Sequence, residues 1–402
     1  MLNLPHSDRA LDRAERDAAG GGTVTVRQQL TMERPWLPHA PPLHLDASYR
    51  IAGGGQGRAP AIEASVGGIS MRLDEPVRLG SAEVAKPWGR EIWYTGIEAR
   101  GESRVLIGDG ELPLSSYLAL APERLARRAP LVLLKVLDPS PSPVLGDLYF
   151  ETHEQKQEVY VVTHVDTGAW PDGRGRIRFG MNQALRRRYG DDEAFRRDYL
   201  ARVHDYERVR RAIDAGERVP AEREAQARAA MDAFTELQPL TVGDVVVVPT
   251  WLPHSLQHGV RVIEFQTPTY ERYILSFAQK VLTQDHWDTA AAVPRMRLEP
   301  PPAPDFETVA DGAERIVAFD DFRVWRVRLP AGGRFELPAH PSYALCMGVI
   351  GTVDVGPVRL QAEEAAFVPR LALADAERRQ RLATLRNPGG GPATVLVAAP
   401  DL

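Results

Sequence analysis

The chain of 402 residues holds a single cysteine, Cys346. No disulfide can form within it and no thiolate cluster can bind zinc, so transition-metal ligands would have to be histidine and carboxylate. Long apolar runs are also missing: nothing approaches the roughly eighteen residues that suggest a membrane-crossing helix. Positive charge is not in excess. There are 49 Lys and Arg against 54 Asp and Glu, a formal net charge of −5, so no basic field recruits nucleic acid. Residues 1–22 show no charged segment leading into an apolar one, which makes a cytoplasmic enzyme the expectation. Present in mild excess are 33 Gly and 33 Pro, a composition that suits a mainly β protein rich in turns. The length allows two or three domains with cores of their own.

Composition divides the chain. Residues 1–64 are expected to be poorly structured, because Ala18 to Gly22 and Gly53 to Gly57 bracket the proline-rich stretch Pro35 to Pro42. Val24 to Leu30 could add one edge strand. Short β-type runs follow, among them a buried strand over Leu131 to Leu137 that includes Lys135, and another over Glu158 to Thr163. Between 114 and 128, Leu114, Leu118, Leu120 and Leu125 suggest a short helix. Over 182–236 apolar residues recur at three- and four-residue steps among Arg, Asp and Glu, which predicts amphipathic helices. The run Arg186 to Arg188 belongs to this pattern. Its interspersed acids mark a solvated helix face and not a nucleic-acid module. β runs return from Val245 to Gln266, with a helix expected over Arg272 to Leu282. Residues 294–314 read as a proline-rich linker and 315–402 as a second β-rich unit.

Two segments have metal-ligand spacing. In one, Gly243 is followed after five residues by Pro249 and after four more by His254. In the other, Gly146 precedes Glu151-Thr152-His153 by four residues, and Glu158 follows after four more. Residues two apart on a strand share a face, so Glu151 and His153 can share one ion. Two imidazoles and two carboxylates suit zinc, manganese or iron(II). The spacing resembles the two metal-binding motifs of a cupin barrel, with Glu151 in place of the usual first histidine and the first gap one residue shorter. His258 follows in the next turn and could sit at a pocket mouth. His164, His204 and His286 have no partner motif and read as structural.

Four blocks resemble the class I mannose-6-phosphate isomerases. Lys86-Pro87-Trp88-Gly89 with Glu91 and Trp93 is similar to that family's N-terminal K-x-W-G block and its trailing E-x-W. Leu133 to Asp138 is similar to its L-x-K-x-L-D strand. Glu151-Thr152-His153 with Lys156, Glu158 and Tyr160 resembles its ligand block, and Gly243 to His254 with Val262 to Gln266 and Tyr270 to Arg272 resembles its final-histidine, E-I-Q and T-Y-R segments.

The resemblance implies a bicupin: a metal-binding catalytic unit over 65–293 with a helical insertion at about 182–236, then a metal-free cupin over 315–402. In the latter, Phe367-Val368-Pro369-Arg370 matches the strand-and-proline part of a ligand motif, and Ala374 stands where its histidine would be. The resemblance also implies an aldose–ketose isomerase acting on a small phosphorylated sugar, by default mannose 6-phosphate to fructose 6-phosphate through an enediol. One divalent metal, by default zinc, would be held by Glu151, His153, Glu158 and His254. Glu264 and Lys156 would be the acid/base groups, Arg272 the group holding phosphate or polarising substrate, and Lys135 an electrostatic support.

The chain departs from the family at four places. Glu151 replaces a glutamine, His153-Glu154 replaces His-Pro with a shorter loop before Lys156, Trp251 stands where cupins commonly have glycine, and the S-D before T-Y-R is missing, leaving Gln266 to Arg272 two residues shorter. These departures leave two rivals: another metal-dependent cupin activity such as oxygenation or epimerisation, and a sugar-binding or regulatory cupin without turnover.

Overall fold

A computed structural model describes residues 4–19, 21–53 and 60–401. The chain is mainly β and divides into two compact units, one of Met1–Glu83, Trp93–Lys135 and Asp305–Leu402, the other of Val84–Ile92 and Val136–Pro304. This partition corrects the expected boundary at 65. Most of 65–135 groups with the C-terminal residues and not with the strands that hold the candidate ligands.

The first unit begins with a correction. Where composition predicted a poorly structured stretch over 1–64, helix Asp8–Ala18 is followed by an antiparallel sheet of Thr23–Met32, Leu43–Ala52, Ala61–Val66 and Ile69–Arg72. Helix and sheet exist because their apolar residues have the matching periods. Leu11, Ala14 and Ala18 share one helix face, while Val24, Val26, Leu30 and Met32 alternate with Thr23, Thr25, Arg27, Gln29 and Thr31. Arg124 ties the helix down by pairing with Asp8 and Asp12, both at 2.8 Å, and with Glu15 at 2.5 Å. The proline stretch 35–42 lies between the first two strands, and residues 1–3, 20, 54–59 and 402 lie outside the described residues, among them most of the glycine clusters. Val24 to Leu30 does fall in a strand at the sheet's edge.

Beyond these, that unit holds short helices, a two-stranded sheet, and a nine-stranded sheet and a four-stranded one that share an apolar core. Val327, Cys346, Val368, Val395 and Val397 come from the first sheet, and Val353, Val355, Leu360 and Leu385 from the second. Burial pushes the Cys346 thiol up to about 12, so it stays a protonated core residue.

In the second unit a six-stranded sheet runs in the order Val245–Val248, Glu158–Val165, Val260–Gln266, Leu133–Pro139, Gly89–Trp93, Ala82–Lys86. A five-stranded sheet runs Thr235–Leu240, Gly175–Met181, His254–Leu256, Phe150–Thr152, Tyr273–Ser276. Tyr160, Val162, Val246, Val248 and Val262 from the former pack with Ile177, Phe179, Leu256 and Ile274 from the latter.

Strand parity then decides what faces inward. Glu158 shares its face with Tyr160 and Val162, and the register sets Glu264 opposite Tyr160 and Gln266 opposite Glu158. Four polar side chains therefore project into the end of an otherwise apolar interior.

The predicted helices are Asp192–Asp214 and Ala221–Asp232. Asp191 caps the first by accepting the Ala194 N–H. Phe195, Tyr199, Val203, Tyr206 and Val209 recur at helical spacing and pack with Phe150, Leu275 and Met296 on the outer side of the five-stranded sheet. Arg186 pairs with Asp192, and Arg210 with Asp214 and Glu224. The helix expected over Arg272 to Leu282 is instead the strand Tyr273–Ser276 paired with Phe150–Thr152. The adjacent apolar pair Ile274-Leu275 serves two cores, one on each side of the sheet, which a strand allows and one helix face does not. Among the described residues no helix is long and apolar enough to cross a membrane.

Candidate metal centre

Glu151 and His254 sit directly opposite each other on paired strands, and His153 follows the end of the Phe150–Thr152 strand. The turn before His254 is fixed by Trp251, whose φ of 61° is left-handed. The Trp251 N–H donates to the His153 carbonyl at 2.6 Å, joining the two motif segments. One ligand atom from each of Glu151, His153 and His254 lies within 4.8 Å of the others. His153 Nε2 is 3.7 Å from Glu151 Oε1 and 3.6 Å from Glu158 Oε1, and His254 Nε2 is 3.0 Å from Glu158 Oε2. Donors placed tetrahedrally at zinc distances would stand roughly 3.4 Å apart, so Glu151, His153 and His254 form a possible metal-binding triad, with the Glu158 carboxylate against both imidazoles.

Hydrogen bonding supports the same fit. His254 Nδ1 lies 2.9 Å from the Leu252 carbonyl, which can only accept, so Nδ1 carries the hydrogen. In the neutral imidazole Nε2 is then an acceptor facing the acceptor Glu158 Oε2. Two acceptors 3.0 Å apart require a cation, either a proton or a metal ion, to satisfy both. Glu151 Oε2 is likewise buried with no hydrogen-bond partner, and the Arg272 guanidinium stands 3.8 Å away. The residues present therefore fit a divalent ion.

Glu158 is the most heavily engaged of the four. Lys156 Nζ lies 2.5 Å from Oε1, and the Tyr160 hydroxyl donates to Oε2 at 2.5 Å. Burial pushes the Glu158 carboxyl up, but Lys156, His153 and His254 together outweigh it and hold the group well below the usual carboxylate range. Burial, with the Glu158 and Glu264 carboxylates beside it, pushes the Tyr160 phenol well above its ordinary value. Tyr160 therefore keeps its proton and acts as a donor.

The other predicted site residues are placed as follows. Glu264 is buried on the strand beside Glu158 and opposite Tyr160. Lys156 is buried and bound to Glu158. Arg272 lies just ahead of the Tyr273–Ser276 strand, 4.7 Å over the Tyr149 ring. Lys135 is buried on the strand Leu133–Pro139, on the same face as the core residue Leu137, at the last position of the Trp93–Lys135 segment.

The remaining histidines stand apart. His258 Nδ1 lies 2.7 Å from Asp147, its ring stacked on Trp170 at 4.5 Å, and His286 faces Asp285 and Asp288. Sequence reasoning gave no role to Tyr160, although its place two residues after Glu158 puts both on one face. It missed Glu271 altogether, since the backbone groups that residue binds are more than a hundred positions away.

No protein-family model matches the chain, and no curated protein matches it by sequence. Solved structures do match. The mannose 6-phosphate isomerase from Bacillus subtilis aligns with a TM-score of 0.57 and 14% identity over 81% of this chain and 99% of that one. The apo form of the Salmonella typhimurium enzyme aligns at 0.58 and 12% identity, covering 82% and 100%. A mannose 6-phosphate isomerase bound with zinc and yttrium aligns at 0.59 and 12%, also covering 82% and 100%. The chain thus has the fold of the mannose 6-phosphate isomerases. At this identity the likeness is one of fold alone.

Proposed function

We propose that this chain is a divalent-metal-dependent aldose–ketose isomerase of phosphorylated sugars, with mannose 6-phosphate and fructose 6-phosphate as the default pair. The observation that carries this reading is the convergence of Glu151, His153 and His254 on one centre, with Glu158 against both imidazoles as the fourth proposed ligand and Lys156 bound to it, in a fold shared with such isomerases. The two units are read as cupins, with the catalytic one built from 84–92 and 136–304 and the other including 315–402. The reading includes a cytoplasmic location.

A bound divalent ion, zinc by default, supplies Lewis-acid polarisation of a sugar oxygen. The protein's own groups do the rest. Glu264, a buried carboxylate, accepts the proton from the carbon next to the carbonyl. Lys156, whose ammonium donates to Glu158 Oε1, is placed to return a proton to the neighbouring carbon or oxygen. Tyr160 holds the Glu158 carboxylate from the other side, so this group cannot swing away when substrate enters. Arg272 lies close to Glu151 and can pass its planar fork to a phosphate, which binds it more strongly than a single carboxylate oxygen at 3.8 Å.

The test is to incubate metal-loaded protein with mannose 6-phosphate in deuterated water and follow both ketose formation and deuterium entry at C1 and C2. Both should occur. Sugar binding without either would make the chain a binding protein, and oxygen consumption would make it an oxygenase.

A further inference from the structure

The turn 154–156 joins His153 to the strand that begins at Glu158, and it presents Lys156. One side chain binds all three of its backbone N–H groups. Glu271 Oε1 accepts from Glu154 N at 2.7 Å, and Oε2 accepts from Gln155 N at 3.0 Å and Lys156 N at 3.4 Å. Successive N–H groups converging on one carboxylate form an anion nest, with hydrogen bonds strengthened by the charge.

The turn is braced on its other flank too. The Glu154 carboxylate accepts from the Tyr273 hydroxyl at 2.9 Å and from Arg295 at 2.8 Å. Arg295 in turn lies 4.5 Å over the Trp251 ring, whose centroid is 5.2 Å from that of Tyr273. Both oxygens of Glu271 are occupied by backbone, so its carboxylate is committed to holding the turn and is not presented to a ligand.

We propose that Glu271 is a positioning residue: it fastens the 154–156 turn so that the Lys156 ammonium stays on Glu158 beside the reacting sugar. This rests on the reading of Lys156 as a proton donor. The physical need is plain. Lys156 reaches Glu158 Oε1 through a flexible four-carbon stem from a turn that belongs to neither strand nor helix. A freely moving turn would spread Nζ over several positions, and misplacing a catalytic group by about 1 Å can cost on the order of a hundredfold in rate. The neighbouring Arg272 reaches Glu151, so one dipeptide, Glu271-Arg272, fastens both sides of the centre.

The test compares Glu271→Ala with Glu271→Gln in the full-length, metal-loaded protein. Four quantities are measured: amide hydrogen exchange of peptides covering 154–156, the rate at which acetic anhydride labels Lys156 by mass spectrometry, bound metal per chain, and kcat and KM. Glu271→Ala should raise turn exchange and Lys156 labelling by about tenfold or more and lower kcat by roughly ten- to a hundredfold. KM and metal content should stay near wild type. Glu271→Gln keeps one carbonyl acceptor and should recover much of this; it also decides the matter if the alanine variant folds poorly. Unchanged exchange and labelling would overturn the proposal, as would a loosened turn with undiminished kcat. If the wild-type protein isomerises no sugar phosphate, the catalytic reading falls, while labelling and exchange still decide whether Glu271 holds Lys156.

Discussion

Val245–Val248 and Ala365–Val368 are both buried strands that run into a proline, Pro249 in one unit and Pro369 in the other. Beyond the proline they part. After Pro249 the chain turns through left-handed Trp251 and re-enters a sheet at His254. After Pro369 it enters the short helix Arg370–Leu373, and Ala374 stays helical at φ −70° and ψ −38°. What faces the two strands differs as well. Val248 has Glu158 opposite it, with Gln266 one strand further, whereas Val368 has Ala344 opposite it in a core of Cys346, Val395 and Val397. A strand that ends in proline thus specifies a place in a sheet and no chemistry. The site depends on which residues the neighbouring strands turn inward and on whether the chain comes back as a strand.

The comparison can be broken most directly through the metal. Purified protein should hold about one equivalent of a transition metal, and His254→Ala should weaken that binding by more than ~100-fold, since loss of even a supporting contact costs 10–100-fold. Stoichiometric metal surviving His153→Ala and His254→Ala together, read by elemental analysis, would erase the distinction between the two units. Next in size, Glu264→Gln should cut proton exchange into the sugar by about 10²–10⁴-fold while metal and sugar binding persist. Full activity in that variant would move the base to Lys156.

On the other side of the comparison, Phe367 stacks on Tyr343 at 5.1 Å and meets Tyr117 edge-on at 5.8 Å. Phe367→Ala should cost about 3–5 kcal/mol of stability in denaturant unfolding and leave metal content unchanged. Arg272→Lys should weaken phosphorylated sugars by roughly tenfold and their unphosphorylated analogues little, because the bidentate fork is lost. Equal loss on both would place Arg272 at the reacting carbons. The smallest effect is expected from Ala374→His. An exposed helical position at the end of the Arg370–Leu373 helix should create no second metal equivalent.

The parts of this fold legible in the sequence were those written in short-range spacing. The 182–236 helices announced themselves through apolar residues three and four apart, and the candidate ligands through the intervals between Gly146, Glu151, His153 and Glu158 and between Gly243, Pro249 and His254. The N-terminal sheet was misjudged because glycine and proline report on connections, and the weight given to 18–22 and 53–57 hid the alternation of Thr23 to Met32 between them. The Tyr273–Ser276 strand was misjudged because a short apolar run fits a helix or a strand equally well until its neighbours are known.

The sequence by itself determined the amphipathic helices of 182–236 and the chemical types at the site, since both depend on residues a few positions apart. Tertiary structure alone decided the rest. Trp93–Lys135 joins Asp305–Leu402 in one unit through contacts between segments distant along the chain. Glu264 faces inward because register aligns it with Tyr160, 104 positions earlier, on a neighbouring strand. Glu271 finds its partners in backbone N–H groups, which every residue but proline possesses and which therefore leave no mark in the sequence.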